Sequence, residues 1–177
     1  MESLLVVTGP PGAGKSTVAR VLATRAERSV LVEGDQFFAF LAQGSVEPWL
    51  PEAHDQNTVV TRAAAAAAGC FAEGGFETVY DGVVGPWFLP VFAAATGLRQ
   101  FDYVVLMPTS ERCVQRVMSR KGHGFRDEAA ARKMHDEFVG AEIDDQHVLA
   151  IGTETAEDVA ERIVTARDKG HLTFTTP

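Results

Sequence analysis

The 177-residue sequence is poor in cysteine, tryptophan and tyrosine, with two of each, and it contains no long apolar run. Two cysteines without a Cys-x-x-Cys pair argue against a disulfide framework and against a cysteine metal site. No segment approaches the roughly 20 apolar residues that cross a bilayer, and the aliphatic run 4–7 continues into a glycine-rich loop without a basic leader. We therefore expect a soluble, cytoplasmic protein that has no membrane partner and buries both thiols.

Positive charge is also scarce, because 16 Lys and Arg residues face 24 Asp and Glu residues and the net charge is −8. Such a chain repels polyanions as a whole, so a nucleic acid could bind only through a local basic patch. This balance disfavours a nucleic-acid partner. The apolar share of 46% and the charged share of 23% are typical of a globular protein, and the length fits one domain over residues 1–177.

Short aliphatic runs alternate with longer amphipathic segments, which is typical of βαβ units and a parallel sheet. The pattern predicts strands at 4–8, 30–33, 78–80, 103–107 and 148–151. It predicts helices at 15–27, 36–42, 52–72, 87–96, 111–120, 128–142 and 156–169. We expect a three-layer α/β fold, with a five-stranded, mainly parallel sheet and helices on both faces. Thr155 and Asp158 predict a capping box for the last helix, and residues 171–177 are either loose or an added edge strand.

Residues 9–17 read Gly-Pro-Pro-Gly-Ala-Gly-Lys-Ser-Thr and satisfy the phosphate-loop pattern G-x-x-x-x-G-K-[ST] between a strand and a helix. Glycines let successive N–H groups point at phosphate oxygens, and the following helix adds its positive N-terminal end. We expect Lys15 to neutralise the β- and γ-phosphates of ATP and the Ser16 hydroxyl to bind Mg²⁺. The candidate nucleotide contacts in the loop are Gly9, Gly12, Ala13, Gly14, Lys15, Ser16 and Thr17.

Acidic residues follow the second and third predicted strands. Phosphoryl transfer to a hydroxyl needs a group that holds Mg²⁺ and a base or orienting group beside the hydroxyl. If the second strand continues to Asp35, Glu33 and Asp35 point to the same side. Ligands bind at the C-terminal edge of a parallel sheet, so we expect Asp35 to be the base and Asp81 and Glu33 to contribute to the magnesium site. The alternative role for Asp35 is a helix N-cap.

Four cations cluster within eleven residues, namely Arg116, Arg120, Lys121 and Arg126. Arg116 and Arg120 are spaced i, i+4 and share a helix face. The glycines at 122 and 124 suit a closing lid at about 116–127. Planar guanidinium groups suit the charge that develops on a transferred phosphoryl group. The alternative is a solvated helix face followed by a surface loop.

These motifs resemble the small P-loop kinases that phosphorylate metabolites or antibiotics, such as chloramphenicol phosphotransferase, shikimate and gluconate kinases and the zeta-toxin-like kinases. The likeness covers most of the chain and rests on the phosphate loop, Glu33-Gly34-Asp35, Tyr80-Asp81-Gly82, the arginine pair and residues 153–158. It implies that the residue at Asp35 contacts the acceptor hydroxyl, that the arginine segment forms the lid, and that the loop containing Thr153 lies near adenine. The segment 82–88 departs from the gluconate kinase pattern, which argues against gluconate.

The sequence therefore predicts an ATP- and Mg²⁺-dependent kinase with a small hydroxyl compound as acceptor. The expected catalytic residues are Lys15, Asp35, Arg116 and Arg120, and Arg116, Arg126 and Thr153 are expected beside the nucleotide. Aromatic residues flank the expected acceptor side and belong either to the site or to the core, namely Phe37, Phe38, Phe40, Trp49 and Trp87. The alternatives are a nucleotide or polynucleotide kinase and a slow NTPase switch. A GTPase is disfavoured because the only asparagine precedes a threonine, which leaves no Asn-Lys-x-Asp motif.

Overall fold

The computed structural model describes residues 3–119 and 125–176, which carry a six-stranded sheet with helices on both faces. The strands are β1 (Ser3–Thr8), β2 (Ser29–Glu33), β3 (Glu77–Asp81), β4 (Gln100–Met107), β5 (Val148–Ala150) and β6 (Thr173–Thr175). The α-helices are α1 (Lys15–Ala23), α2 (His54–Glu73), α3 (Leu89–Thr96), α4 (Ser110–Ser119), α5 (Glu128–Gly140) and α6 (Ala156–Asp168). Short 3₁₀ helices cover Gly34–Phe40, Pro51–Ala53 and Asp145–His147.

Five strands are parallel and lie in the order β2-β3-β1-β4-β5, as the α/β pattern predicts. In the register of the sheet, Asp81 at the end of β3 lies opposite Val7 of β1 and Glu33 of β2. The C-terminal ends of these three strands therefore meet at one edge. The phosphate loop follows β1 directly, so the same edge holds the loop and both acidic strand ends.

The sixth strand comes from the segment after the last helix, for which the sequence allowed either a loose tail or an added edge strand. β6 pairs antiparallel with the first residues of β4, so the sheet has one strand more than the five predicted. The segment reads Thr-Phe-Thr, and the ring of Phe174 lies 5.3 Å from that of Phe101 and 6.2 Å from that of Tyr103. This packing holds the segment against the sheet and confirms the edge-strand alternative.

The core lies on both faces of the sheet. In β1, Leu4 and Val6 pack with the α2 and α3 side, whereas Leu5 and Val7 pack with α1 and α6. All four side chains are at most 2% exposed. Burial on both faces explains why the strand is apolar without alternation, and each such side chain stabilises the fold by about 1.5–3 kcal/mol.

The capping box predicted for the last helix is confirmed, and a second helix also has a side-chain cap. The Thr155 hydroxyl accepts a hydrogen bond from the Asp158 N–H (3.1 Å), and the Asp158 carboxylate accepts one from the Thr155 N–H, which completes the capping box of α6. Asp127 caps α5 by accepting a hydrogen bond from the Ala130 N–H (2.9 Å). Because capping depends on neighbouring residues, the sequence alone is enough to locate it.

Two local predictions differ from the structure. The helix predicted at 36–42 is a 3₁₀ helix over Gly34–Phe40, in which residues three apart overlap and the rings of Phe37 and Phe40 lie 5.4 Å apart. Cys113 is buried as predicted, but Cys70 is exposed. Helix α2 turns a stripe of alanines and Gly69 toward the core, and this stripe leaves Cys70 on the outer face.

At the other end of the sheet, where the parallel strands begin, Arg167 of α6 links three strands. Its guanidinium donates hydrogen bonds to the Asp102 carboxylate (2.6 Å), the Ser3 hydroxyl (2.6 Å) and the Glu77 carboxylate. These partners stand at or near the starts of β4, β1 and β3. None of the helices among residues 3–119 and 125–176 has the length and apolar character needed to cross a bilayer.

Candidate active site

The loop between β1 and α1 depends on glycine at three positions with positive φ, namely Gly9 (140°), Gly12 (82°) and Gly14 (97°). A Cβ atom at Gly9 would lie 2.3 Å from the carbonyl oxygen of Leu106, and one at Gly12 would lie 2.3 Å from that of Cys113. The loop therefore packs directly on the backbone of β4 and α4. No side chain fits at either position, so the motif glycines are required by both conformation and space.

Two cations donate hydrogen bonds to the carbonyl oxygens of this loop. The Lys15 Nζ donates to the oxygens of Gly9 (3.1 Å) and Pro10 (3.2 Å). The Arg116 Nη1 donates to the oxygens of Gly12 and Ala13, each at 3.2 Å. With the N-terminal end of α1, these cations provide the positive surroundings that a polyphosphate requires.

Ser16, the second residue of α1, and Asp81, the last residue of β3, bring a hydroxyl and a carboxylate together. Asp81 is 6% exposed, and its carboxylate is hydrogen-bonded to the Ser16 hydroxyl. Burial raises the pKa of Asp81 above its usual value, while the Lys15 charge and the Ser16 hydrogen bond oppose this shift. Hydroxyl and carboxylate oxygens are the ligands that Mg²⁺ prefers, so these residues fit the ion.

The described residues, 3–119 and 125–176, contain no cluster of three His, Cys, Asp or Glu side chains that could hold a metal ion. Mg²⁺ in sites of this kind is bound by one or two protein groups and completes its coordination with water and substrate phosphates. The Ser16–Asp81 pair is therefore suited to a magnesium ion that arrives with a nucleotide.

Glu33 is engaged in a different contact. β2 ends at Glu33, and its carboxylate accepts a hydrogen bond from the Arg20 guanidinium at 2.6 Å. The negative charge of Glu33 still contributes to the raised pKa of Asp81. Its role in the magnesium site stays a prediction, and its observed partner is Arg20.

Asp35 lies in the 3₁₀ helix Gly34–Phe40 rather than in an extended strand, so strand alternation does not determine its position. The N-cap of that helix is Glu33, and capping by Asp35 is not observed. Asp35 is exposed, and its charge acts on two neighbours, because after burial it is the next cause of the raised pKa of Tyr80 and it also contributes at Asp81. Because Glu33 pairs with Asp81 in the register of β2 and β3, Asp35 lies just beyond the strand ends that carry these two residues.

Tyr80 supports this edge from below, a role that the sequence did not predict. A Cβ atom at Gly34 would lie 2.3 Å from the Tyr80 hydroxyl oxygen, and one at Gly82 would lie 2.8 Å from the same ring. The two glycines make room for the buried Tyr80 beneath the turn that holds Asp35. The sequence signal for this packing is the glycine directly before Asp35 and the glycine directly after Asp81, since each leaves space for the Tyr80 side chain.

A groove of about 380 Å³ lies beside the phosphate loop. It is lined by Gly12, Ala13, Gly14, Thr17, Val18, Leu106, Arg116, Ser119, Ile151, Glu154, Thr155, Ala156 and Val159. The loop after β5 forms part of the groove wall through Glu154 and Thr155. Thr153, the residue singled out from the sequence, is exposed and is not part of this lining.

Glu154 and Arg162 hold the loop after β5 in place, and the sequence did not indicate either residue. The Glu154 carboxylate accepts hydrogen bonds from the Gly152 N–H (2.6 Å) and from the Arg162 guanidinium (2.5 Å). Arg162 also donates to the carbonyl oxygen of Ala150 (3.0 Å). Backbone N–H groups at Glu154 and Gly152 hold the pKa of this carboxylate below its usual range.

The arginine segment is described only in part. Arg116 lies in the last turns of α4, Arg126 is exposed before α5, and Arg120 lies outside the described residues. Phe125 packs with the small apolar cluster between α4 and α5, and its ring lies 4.8 Å from that of Trp49. The expected lid and the expected acceptor loop are therefore in contact.

Residues 34–57 and 82–89 make up the expected acceptor side, called the acceptor side below, and ring contacts and side-chain amide hydrogen bonds hold it in place. The rings of His54 and Phe88 stack with centroids 5.6 Å apart, and Trp87 meets Phe138 of α5 at 5.0 Å. The Gln56 side chain exchanges two hydrogen bonds with the backbone of Val46, both 2.7 Å. These contacts fasten the loop before α2 to the start of that helix.

Residues 4–141 match the AAA domain family over most of the chain. The chain belongs to this family. Its AAA domain fold is similar to three solved kinase structures. A sugar kinase from Janibacter sp. HTCC2649 has a TM-score of 0.70 and 21% identity, covering 95% of both chains. The APS kinase of Mycobacterium tuberculosis, solved with AMPPNP and APS, has a TM-score of 0.71 and 14% identity, covering 94% of this chain and 97% of that one.

The third structure is the shikimate kinase of Acinetobacter baumannii in complex with shikimate, with a TM-score of 0.61 and 22% identity, covering 95% of this chain and 94% of that one. No curated protein sequence matches the chain. At these identities the likeness extends to the fold. The AAA domain thus has the architecture of small P-loop kinases, which confirms the resemblance predicted from the sequence.

Proposed function

We propose that the protein is a kinase that transfers the γ-phosphate of MgATP to a hydroxyl group of a small molecule. The observation that carries the proposal is the position of Asp35, which follows β2 by two residues, where the last residue of β2, Glu33, is paired with Asp81 at the end of β3. Binding or slow hydrolysis of ATP requires the loop and the metal ligands. An exposed carboxylate beside them serves an attacking hydroxyl.

In the proposed reaction, the phosphates of ATP lie on the N–H groups of the loop and Lys15 neutralises their charge. The acceptor oxygen attacks the γ-phosphorus, a new O–P bond forms, and the bond from phosphorus to the β-bridging oxygen breaks to release ADP. The acceptor proton passes to the Asp35 carboxylate. Mg²⁺, held by Ser16 and Asp81, would offset the charge that builds up on the phosphate oxygens.

The arginines take the remaining role in this proposal. Arg116 already lies against the loop at Gly12 and Ala13, and we propose that it stabilises the bound triphosphate. Arg120 and Arg126 follow on the same segment and would add charge to the transferred phosphoryl group. The groove beside the loop would hold the nucleoside, with residues 152–155 and Thr153 near its base.

The fold relatives support a hydroxyl acceptor, because they are kinases for a sugar, for shikimate and for APS. Nucleotide and polynucleotide kinases remain the alternative within this fold. The net charge of −8 opposes the binding of a polyanion such as RNA. We propose a small molecule as acceptor and the cytoplasm, where ATP is available, as the site of action.

The proposal is tested by incubating the protein with γ-labelled ATP, Mg²⁺ and a panel of sugars, polyols, alcohol-containing antibiotics, nucleosides and a 5′-hydroxyl oligonucleotide. We expect label on one class of small hydroxyl compound and none after the change Lys15→Ala. The matched control is Lys169→Ala at the end of α6, which should behave like the unchanged protein. Release of phosphate to water alone, with the fold intact, contradicts the kinase, and label on the oligonucleotide supports the alternative.

A further inference from the structure

The acceptor side contains no lysine or arginine, although it stands beside a site for a triphosphate. From residue 29 to residue 61 the sequence has none, and from 63 to 98 it has none either. The same side carries four carboxylates, which are Asp35, Glu47, Glu52 and Asp55. Phe125, whose ring contacts Trp49, is followed by Arg126, which the proposed function assigns to the transferred phosphoryl group, and the next basic residue along the chain after residue 57 is Arg62. It is exposed on α2, two turns past His54 and roughly 12 Å along the helix axis.

Apolar and aromatic groups take the place of these cations. Phe40 is 75% exposed and Trp87 is 37% exposed, so the acceptor side presents ring surface to solvent. A cavity of about 190 Å³ lies in the loop before α2, and Glu47 is the one charged residue in its lining. The other lining residues are Phe38, Leu41, Ser45, Val46, Pro48 and Gln56.

An anionic acceptor would find no lysine or arginine among residues 34–57 and 82–89. A carboxylate or phosphate that leaves water needs charged hydrogen-bond donors to offset its lost hydration, and arginine is the usual donor. The negatively charged residues of these two ranges are Asp35, Glu47, Glu52 and Asp55, which repel an anion. A neutral ring or a cation meets no such cost, because aromatic faces attract both apolar surface and positive charge.

We infer that the acceptor is a neutral or cationic hydroxyl compound with an apolar or aromatic body, and that carboxylate- and phosphate-bearing compounds are poor acceptors. The inference rests on the proposed kinase function and specifies its substrate class. It separates this chain from kinases whose acceptors carry their own negative charge.

The test compares acceptors that differ only in charge, such as shikimic acid and its methyl ester, together with similar acid–ester pairs built on aromatic alcohols. We expect kcat/KM to favour the esters by at least tenfold. Equal or better use of the acids overturns the inference and leaves the kinase function standing. Failure to phosphorylate any compound counts against the kinase function itself.

Binding is measured separately, so the inference is tested even without turnover. Trp49 and Trp87 are the only tryptophans, and both lie on the acceptor side, so intrinsic fluorescence reports occupancy there. We expect esters to quench the emission at lower concentration than the matching acids, and the variants Trp49→Phe and Trp87→Phe to assign the signal. Tighter binding of the acids, or no response to any ester or amine, contradicts the inference.

A charge reversal at Glu47 tests whether the acceptor binds beside the cavity in the loop before α2. We expect Glu47→Lys, in the cavity wall, to shift the ester-to-acid preference toward the acids by about fivefold, since it replaces a repulsive charge by an attractive one. The matched control is Glu73→Lys, which makes the same change at the end of α2, a helix about 30 Å long. An equal shift in both variants, or no shift at Glu47, assigns the preference to the overall charge or to another part of the site and overturns this placement.

Discussion

The two sides of the candidate site are held in place by different kinds of side-chain contact. On the nucleotide side, consisting of residues 9–17, the last turns of α4 and residues 151–156, charged side chains bind backbone carbonyl and N–H groups, as Lys15, Arg116 and Glu154 do. On the acceptor side, rings contact rings, and Gln56 and Asn57 hold the loop through their amides. The contacts of the nucleotide side hold the backbone in one conformation. The contacts of the acceptor side are made between side chains, so substitutions can alter that surface.

This difference between the two sides matches a difference in what kinases bind, because ATP is common to them and the acceptor is not. Every kinase that uses ATP must place the same phosphates, so loop geometry is imposed by the backbone and tolerates little change. The acceptor varies between kinases, and ring surfaces can be remodelled by substitution without a change of fold. We therefore expect substitutions on the nucleotide side to affect ATP and those on the acceptor side to affect acceptor use alone.

The largest effect is expected at Asp35, where the two sides meet. Asp35→Ala removes the group that we propose accepts the acceptor proton, and kcat should fall by about 10²–10⁴-fold. ATP affinity should stay within about twofold, because Asp35 is not part of the groove lining. Steady-state kinetics and nucleotide titration measure the two quantities, and Asp136→Ala, an exposed acid on α5, is the control. A parallel loss of ATP binding would show that Asp35 does not act as the base.

A glycine exchange compares the two sides directly. Gly12 and Gly44 both have positive φ, but a Cβ at Gly12 meets the Cys113 carbonyl oxygen at 2.3 Å and one at Gly44 meets nothing within 4 Å. Gly12→Ala should weaken ATP binding by tenfold or more. Gly44→Ala should cost only the left-handed strain of about 1–2 kcal/mol and leave ATP binding unchanged. Titration with ATP and thermal unfolding measure both effects, and equal ATP binding by the two variants refutes the comparison.

Arg116 should contribute less than the loop itself. Arg116→Ala removes two hydrogen bonds to the loop and one cation beside the phosphates, so ATP affinity should fall by about tenfold. Arg112→Ala, one turn earlier on α4, is the matched control and should change affinity little. A loss confined to kcat, with unchanged ATP affinity, would instead assign Arg116 to the transferred phosphoryl group.

The smallest effect is expected at Glu154. Glu154→Gln should loosen residues 152–155 and raise the KM for ATP by about threefold without changing the KM for the acceptor. Because its pKa is lowered in the folded chain, the contact is present above the ordinary carboxyl pKa and is lost as pH falls through the lowered value. The KM for ATP should therefore be constant around neutral pH. Glu157→Gln, in the first turn of α6, is the control, and a change in acceptor KM would contradict the separation of the two sides.

The phosphate loop and Asp81 could be located from the sequence because their patterns are local, whereas Glu154 and Arg162, which hold the loop after β5, were not indicated. The loop pattern, the strand before it and Asp81 at the end of β3 depend on neighbouring residues and on one rule about parallel sheets. The capping box of α6 was found for the same reason. Arg20 and Glu33 form their pair between α1 and β2, and no local pattern indicates that contact.

The acceptor side could not be read in this way. The contacts of Trp49 with Phe125 and of Trp87 with Phe138 join residues far apart in the chain, and their partners depend on how α5 packs. The 3₁₀ helix at Gly34–Phe40 has a helical sequence pattern, so the prediction gave the wrong helix type and the wrong geometry for Asp35. Tertiary packing decided these positions.

The position of β1 in the sheet has a consequence for how the chain reaches its folded state. Leu5 pairs with Val79 and with Asp102, so both strands that flank the strand before the phosphate loop are far from it in the sequence. The loop in turn rests on backbone atoms of β4 and α4, at Leu106 and Cys113. Such long-range contacts make folding slow, and the loop acquires its shape only once the sheet is assembled. ATP should therefore bind only fully assembled chains and draw the folding equilibrium toward them by mass action.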